Sequence, residues 1–228
     1  MAGYGHTTAS QLGQDRLVLA LLNGLRGGFF IDSGASDGLR ASNTLMLEQD
    51  YGWSGICIEP NDTFFAQLVR NRGCRCVNVC LYDREEEVEF VEADTLGGIL
   101  SAYNPDHLAF TMRLQAKGVA GRPLTVRKPA SRIASVLRDC AAPRVIDYWS
   151  LDTEGSELAI LRSFPFEEYN VRVLTVEHNR YPAREEIYAF LTKHGYERVC
   201  SLGIDDCYAK GVTLPARSWR SRVWRGCR

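Results

Sequence analysis

Phe29-Phe30-Ile31-Asp32-Ser33-Gly34-Ala35-Ser36-Asp37-Gly38 is the stretch whose reading decides the fold. Apolar residues run straight into an aspartate, and two glycines follow four residues apart. A buried strand looks like this when it ends in a turn that passes close to a ligand, because glycine leaves no Cβ in the way.

Outward from that stretch, strand and helix patterns alternate. Upstream, Ser10 to Arg26 predicts a helix, with Leu17, Val18, Leu21, Leu22 and Leu25 at helical spacing, Ser10 as its cap and Gly27-Gly28 as its stop. Downstream, Ser42 to Asp50 predicts a second helix capped by Ser42. Gly55 to Glu59 is a short strand whose ladder Pro60 ends. Asn61 or Asp62 then caps a helix to about Asn71, with Phe65, Leu68 and Val69 inward, and Arg75 to Leu81 is a third strand. This order predicts an α/β fold with a mostly parallel sheet and helices on both faces.

Glu87 to Glu92 alternates as a half-exposed strand, and Asp94 to Arg122 breaks the regularity with Gly97-Gly98, Pro105, Gly118 and Gly121. We read residues 94–123 as a variable excursion on the substrate side, holding a loose helix from Asp106 to Lys117. The pattern then resumes: a helix over Ser131–Cys140, a strand over Val145–Leu151, a helix over Gly155–Phe164, a strand over Val171–Val176 and a helix over Ala183–His194. Tyr196–Val199 and Asp206–Ala209 suit a terminal hairpin. Residues 1–213 read as one domain, without repeat or linker. Residues 214–228 differ: Arg217, Arg220, Arg222, Arg225 and Arg228 stand with Trp219 and Trp224 and no acid, a composition suited to a membrane surface or nucleic acid, or to a tail that packs on the domain or continues into a neighbour.

The totals exclude several classes. With 228 residues, 45% hydrophobic and 24% charged, the composition is that of a globular domain with a sizeable core. A formal net charge of −1 argues against nucleic acid as a partner. There is no apolar run long enough for a membrane helix, and no signal-peptide pattern before Gln14, so the expected location is the cytoplasm. The eight cysteines form no C-x-x-C pair and read as small buried hydrophobes in a reducing compartment.

Carboxylates collect at strand ends. Asp32, Glu59, Asp152 and Glu177 each terminate a strand, and Asp83 follows the third within two residues. In a parallel sheet those ends share one edge, where ligands of open α/β sheets bind. Glu59 lies 21 residues after Gly38 and can accept hydrogen bonds from a ribose diol. Two nucleoside cofactors fit these features. A nicotinamide dinucleotide wants a pyrophosphate at the glycine turn, and Asp37 has the wrong charge for it. An acid-lined turn suits the ammonium and sulfonium of S-adenosylmethionine.

Ser10-Gln-Leu-Gly-Gln-Asp15, Gly28 to Gly38, Ser42-Asn-Thr-Leu45, Gly52-Trp-Ser-Gly-Ile-Cys-Ile-Glu-Pro-Asn61, Leu151-Asp-Thr-Glu-Gly-Ser-Glu-Leu158 and Val176-Glu-His-Asn179, taken in order, resemble the FkbM-type methyltransferases. The resemblance runs from about Ser10 to Gly211. It implies the class I methyltransferase (Rossmann-like) fold, S-adenosylmethionine as donor, and O-methylation of a hydroxyl on a sugar or small molecule. Ser33 and Ser36 depart from the family's Ile and Asn. Some family members are non-enzymatic, so a catalytically inactive interaction domain stands as an alternative, beside an NAD-dependent oxidoreductase.

The resemblance and the strand-end positions together imply roles. Asp32, Gly34, Ser36 and Gly38 line the methionine side of the cofactor, Glu59 holds the ribose, Asp83 lies near the adenine, and Asp152 is a further cofactor-binding residue. Gln11, Gln14 and Asn43 reach the cofactor's carboxylate or edge. Asp152, Glu154 and His178 are the candidate catalytic residues, with His178 as a metal-free general base. Asp152, Glu177 and Asn179 also look like the magnesium site of catechol O-methyltransferases, which implies Mg2+ or another divalent cation there.

Overall fold

The computed structural model describes residues 10–93, 95–103, 105–118, 124–179 and 182–213. The basic tail at 214–228 lies outside them. The chain begins α1 (Gln14–Leu21), β1 (Phe29–Ser33), α2 (Leu45–Tyr51), β2 (Ser54–Ile58), α3 (Asp62–Asn71), β3 (Arg75–Val77). Next come β4 (Cys80–Leu81), β5 (Glu86–Glu92), β6 (Gly98–Ile99), α4 (Pro105–Ala116) and β7 (Leu124–Ser131). Then follow α5 (Ile133–Asp139), β8 (Val145–Leu151), α6 (Glu157–Ser163), β9 (Asn170–Glu177), α7 (Ala183–Lys193), β10 (Glu197–Leu202) and β11 (Asp205–Ala209).

Seven strands form the main sheet in the order β3-β2-β1-β8-β9-β11-β10. All neighbours are parallel except β11, which runs antiparallel to both β9 and β10. Two hydrophobic layers cover the sheet, and the two-residue period of a strand sorts its side chains between them. Phe30, Tyr148, Val173 and Cys207 face α1, α2 and α3 with Leu17, Leu21, Leu47 and Leu68. Their neighbours Ile31, Trp149, Leu174 and Tyr208 face α5, α6 and α7 with Leu137, Leu161 and Leu191. Strands buried on both faces read as continuous apolar runs, which is why β1, β2, β8 and β9 stand out in the sequence. Among the described residues no helix is long and apolar enough to cross a membrane.

The third predicted strand divides. β3 stops at Val77, and β4 belongs to a second sheet in the order β4-β7-β5-β6. β7, to which the sequence assigns no element, pairs with β5 from Glu86↔Ala130 to Glu92↔Leu124. β4 pairs only with Ala130 and Ser131, so one side of β7 is open where Pro129 falls. α1 is also shorter than expected. Its N-cap is Gly13, with φ +87°, not Ser10, whose hydroxyl accepts from the Gly13 amide and donates to Asp15. In α3, Val69 is exposed and Phe64 takes the inward place. The seven described cysteines are free thiols, with Cys57 Sγ and Cys74 Sγ 3.4 Å apart.

Candidate active site

The turn after β1 is built by backbone hydrogen bonds. The amides of Gly34 and Ala35 both donate to Ile58 O, Ser36 N donates to Glu59 Oε2 at 2.8 Å, and Gly38 N donates to Ala35 O. Gly34 has φ +84°, and a Cβ there would sit 1.8 Å from Asp152 O, so the end of β8 presses directly on the turn. These four amides already have protein acceptors, which leaves a pyrophosphate none of them to bind.

That finding replaces the argument from Asp37. The Asp37 carboxylate does not face a ligand: it accepts from Leu39 N and Arg40 N at 2.9 Å and pairs with the Arg40 guanidinium at 2.7 Å. It caps its own loop, a common use of Asp in turns.

A cavity of about 410 Å³ opens over the carboxyl edge of the main sheet. Asp32, Gly34, Ser36, Asn43, Glu59, Asp152, Glu154, Glu177, Asn179, Gln11 and Gln14 all border it. Three expected residues do not. Gly38 packs under α3, where a Cβ would lie 2.7 Å from both Arg72 and Leu68. Asp83 follows β4 into the second sheet and pairs with Arg84 at 3.1 Å, so its expected place beside an adenine is not where the chain takes it. His178 leaves β9 on the far side, its Nε2 3.7 Å from Asp206 Oδ1, and borders a separate pocket of about 210 Å³. Its imidazole is therefore not aimed into the main cavity as a base would be.

One end of the cavity is a cradle. Burial pushes the Asp32 carboxyl up, although Arg72 and the Thr44 hydroxyl oppose it. Burial likewise pushes Glu59 up to about 7, against hydrogen bonds from the Asn61 and Ser36 amides. Gln14 Nε2 donates to Asp205 Oδ2 at 2.6 Å, and burial raises Asp205 to about 6. Ser36 Oγ and Asn43 Oδ1 are buried there without a hydrogen-bond partner. Such atoms are costly in a finished structure and mark places a ligand completes.

The other end is acidic. Asp152, Glu154 and Glu177 bring carboxylate oxygens within 4.8 Å of one another, and Asn179 Nδ2 donates to Glu154 Oε2 at 3.3 Å. Burial first, and the neighbouring acids second, push Asp152 and Glu177 well above the ordinary carboxylate range. Negative charges this close together in a buried site disfavour ionisation of both. Glu154 and Asn179 both sit at positive φ, +60° and +40°. Non-glycine residues held in that region cluster at functional sites.

Two site residues escape sequence reasoning. Asp205 begins β11, whose antiparallel direction puts its first residue on the edge where the parallel strands end, opposite Glu177. Glu157 accepts from the Thr153 and Gly155 amides and the Thr153 hydroxyl, and so shapes the loop that carries Asp152 and Glu154. Its signal is a glutamate opening a helix directly after that loop. The walls are apolar: Phe64, Phe90, Leu96, Ile99 and Phe110 bring α3, the second sheet and α4 over the opening.

With this geometry in place, the family is clear. Residues 32–198 match the methyltransferase FkbM domain, and the chain belongs to that family. Its fold is the class I fold of S-adenosylmethionine-dependent methyltransferases, with strand β11 inserted antiparallel beside β9. A search of curated proteins finds no match. Several solved structures align with this chain at low identity. A precorrin-6y C5,15-methyltransferase from Geobacter metallireducens is 13% identical with TM-score 0.45, covering 90% of this chain and 93% of its own. A TehB-like SAM-dependent methyltransferase from Corynebacterium glutamicum is 12% identical with TM-score 0.45, covering 88% and 89%. A SAM-dependent methyltransferase from Geobacter sulfurreducens in complex with S-adenosyl-L-homocysteine is 14% identical with TM-score 0.36, covering 86% and 68%. Strand order and family match, rather than these distant likenesses, define the class.

Proposed function

We infer that the protein transfers a methyl group from S-adenosylmethionine to a hydroxyl of a small molecule or sugar. The observation that carries this reading is the carboxylate cluster Asp152, Glu154 and Glu177, set in one cavity with the glycine turn and Glu59. The cradle suits the donor: Ser36 Oγ and Asn43 Oδ1 await partners, and the backbone at Gly34 passes where a Cβ would collide. Glu59 takes the ribose hydroxyls, while Asp32 and Gln14 surround the methionine end.

When bound, S-adenosylmethionine supplies an electrophilic methyl carbon. The chain's own residues must then orient a hydroxyl toward it and remove a proton. Asp152 and Glu177 have the raised proton affinity that this task needs. Asp152, Glu154 and Glu177 form an all-oxygen donor set of the kind Mg2+ or another divalent cation takes, with Asn179 bonded to Glu154 at its edge; there the ion would acidify the hydroxyl. His178 backs this end through Asp206 and does not act as the base. Among the described residues the lining holds six carboxylates and one cation, Arg40, already tied to Asp37, which favours a neutral polyol over an anionic acceptor or nucleic acid. The basic tail is the part suited to a membrane surface.

Calorimetry with S-adenosylhomocysteine and NAD, followed by transfer of labelled methyl groups to a panel of sugars and phenols, tests the reading. Micromolar S-adenosylhomocysteine binding and label on a hydroxyl are expected. NAD binding without S-adenosylhomocysteine binding overturns it, and binding without transfer on any acceptor leaves an inactive domain.

A further inference from the structure

A buried polar network lies outside the cavity, on the opposite side of the turn. The Arg72 side chain, just past the end of α3, is 0% exposed. Its Nε pairs with Glu48 of α2. Its Nη1 donates to Gly38 O at 3.3 Å and Ser42 Oγ at 3.1 Å, and its Nη2 donates to Thr44 Oγ1 at 2.9 Å. Thr44 Oγ1 in turn donates to Asp32 Oδ2 at 2.6 Å. Residues 39–44 form neither helix nor strand, and these bonds add to those from the Leu45 and Glu48 amides in tying the segment to α2.

We propose that Arg72 is a positioning residue for the cofactor turn: from outside the cavity its guanidinium holds Gly38, Ser42 and Thr44 to α2 and, through Thr44, sets the Asp32 carboxylate in the cavity floor. The proposal rests on reading the cavity as the cofactor site. A buried guanidinium is an expensive way to gain stability, since apolar replacements of buried ion pairs are often as stable or more so. What a guanidinium adds is a rigid fork of donors. Here that fork reaches three points of one irregular loop and a helix at once, of which the compact ammonium of lysine can meet only some. The glycine at 38 belongs to the same device, because a Cβ there would meet the Arg72 stem at 2.7 Å. Burial pushes Asp32 toward its neutral form, and the Arg72 charge is the first influence that opposes it.

The test titrates S-adenosylhomocysteine into the full chain and into Arg72→Met, Arg72→Lys, Thr44→Val and the double variant Arg72→Met/Thr44→Val, with the melting temperature of each. Arg72→Met is expected to weaken binding about tenfold or more, Thr44→Val less, and Arg72→Lys to recover part of the loss. Because both residues act on Asp32 through one link, the double variant is expected to bind no worse than Arg72→Met alone. Affinity losses that follow melting temperature, are additive, or are not relieved by lysine overturn the proposal. If Arg72→Met does not fold, unchanged affinity in Thr44→Val and Arg72→Lys does the same. A wild type that binds no S-adenosylhomocysteine overturns the cofactor reading and this one together; a wild type that binds while the variants stay unaffected removes the brace alone.

Discussion

Glu59 Oε2 accepts a 2.8 Å hydrogen bond from the Ser36 amide, while its Oε1 accepts a 2.7 Å bond from the Asn61 amide. One carboxylate at the end of β2 thereby holds the turn after β1 and the entry to α3, which Asn61 caps.

Glu59→Ala is expected to weaken S-adenosylhomocysteine binding by about 2 kcal/mol, because it removes the ribose acceptor and frees the Ser36 amide. An unchanged dissociation constant rejects the ribose assignment. The same residue has a pH signature. Its folded value of about 7 lies above the 4.5 of an exposed glutamate, so the native state keeps a proton that the unfolded chain has lost. Its contribution to stability is therefore most favourable below 4.5 and falls as pH rises to about 7. Glu59→Gln is expected to flatten that part of the stability curve relative to wild type, as chemical denaturation across pH shows; parallel curves would refute the raised value.

Gly34→Ala tests the closest backbone approach in the site. The added methyl meets Asp152 O at 1.8 Å, and the φ of +84° is unfavourable for any L side chain. A loss of at least about 2 kcal/mol in unfolding free energy is expected, with loss of S-adenosylhomocysteine binding. Gly52→Ala, at φ +68° with nothing near its Cβ, is the control for backbone strain alone. Equal costs for the two variants reject the collision.

Much of this was legible in the sequence. Asp32, Glu59, Asp152 and Glu177 end buried parallel strands, so position along the chain predicts their meeting on one edge. What was hidden follows from physics that spacing does not encode. Asp205 enters the site because the second arm of the terminal hairpin, β11, inserts between β10 and β9 and runs antiparallel to both; the hairpin was legible, but not which of its arms would sit beside β9. Asp37 reads equally well as a ligand group or as a loop cap, and only its bonds to Leu39 and Arg40 decide. Asp83 was misplaced because Arg75 to Leu81 keeps strand character across a switch between sheets. β7 was masked by Pro129, and Arg72 carries no pattern at all, being a single cation past a helix end.

His178 is expected to matter for stability rather than for transfer. Its ring faces Asp206, which is held by Arg184 at 2.7 Å, by Ser201 and by Arg198. Burial alone would raise the Asp206 carboxyl, but the Arg184 and Ser201 bonds hold it below its ordinary value. That contribution is present above about 4, the unfolded value, and is lost as pH falls through the lower folded value. His178→Ala is expected to cost about 1–2 kcal/mol of stability and to leave S-adenosylhomocysteine affinity within about twofold. A stable variant with transfer abolished would restore His178 as a base.

The acidic end makes the last prediction. Burial and the neighbouring acids push Asp152 and Glu177 well above the ordinary carboxylate range, so a proton held between them is expected. A divalent cation drawn into that oxygen set would displace the proton, since metal ligands must be deprotonated. Mg2+ or Mn2+ binding is therefore expected to release about one proton per ion near neutral pH and to tighten as pH rises. Calorimetry in buffers of different ionisation enthalpy reads the proton directly. Glu177→Gln is expected to remove both binding and release, because the amide neither shares the proton nor brings the charge. Retained S-adenosylhomocysteine binding in that variant would place the loss at the acidic end and not in the cradle. Cation binding without proton release would reject the shared proton. Undiminished methyl transfer in excess chelator would leave the carboxyl pair as the base acting alone, with Asp152 and Glu177 sharing the proton that the acceptor gives up.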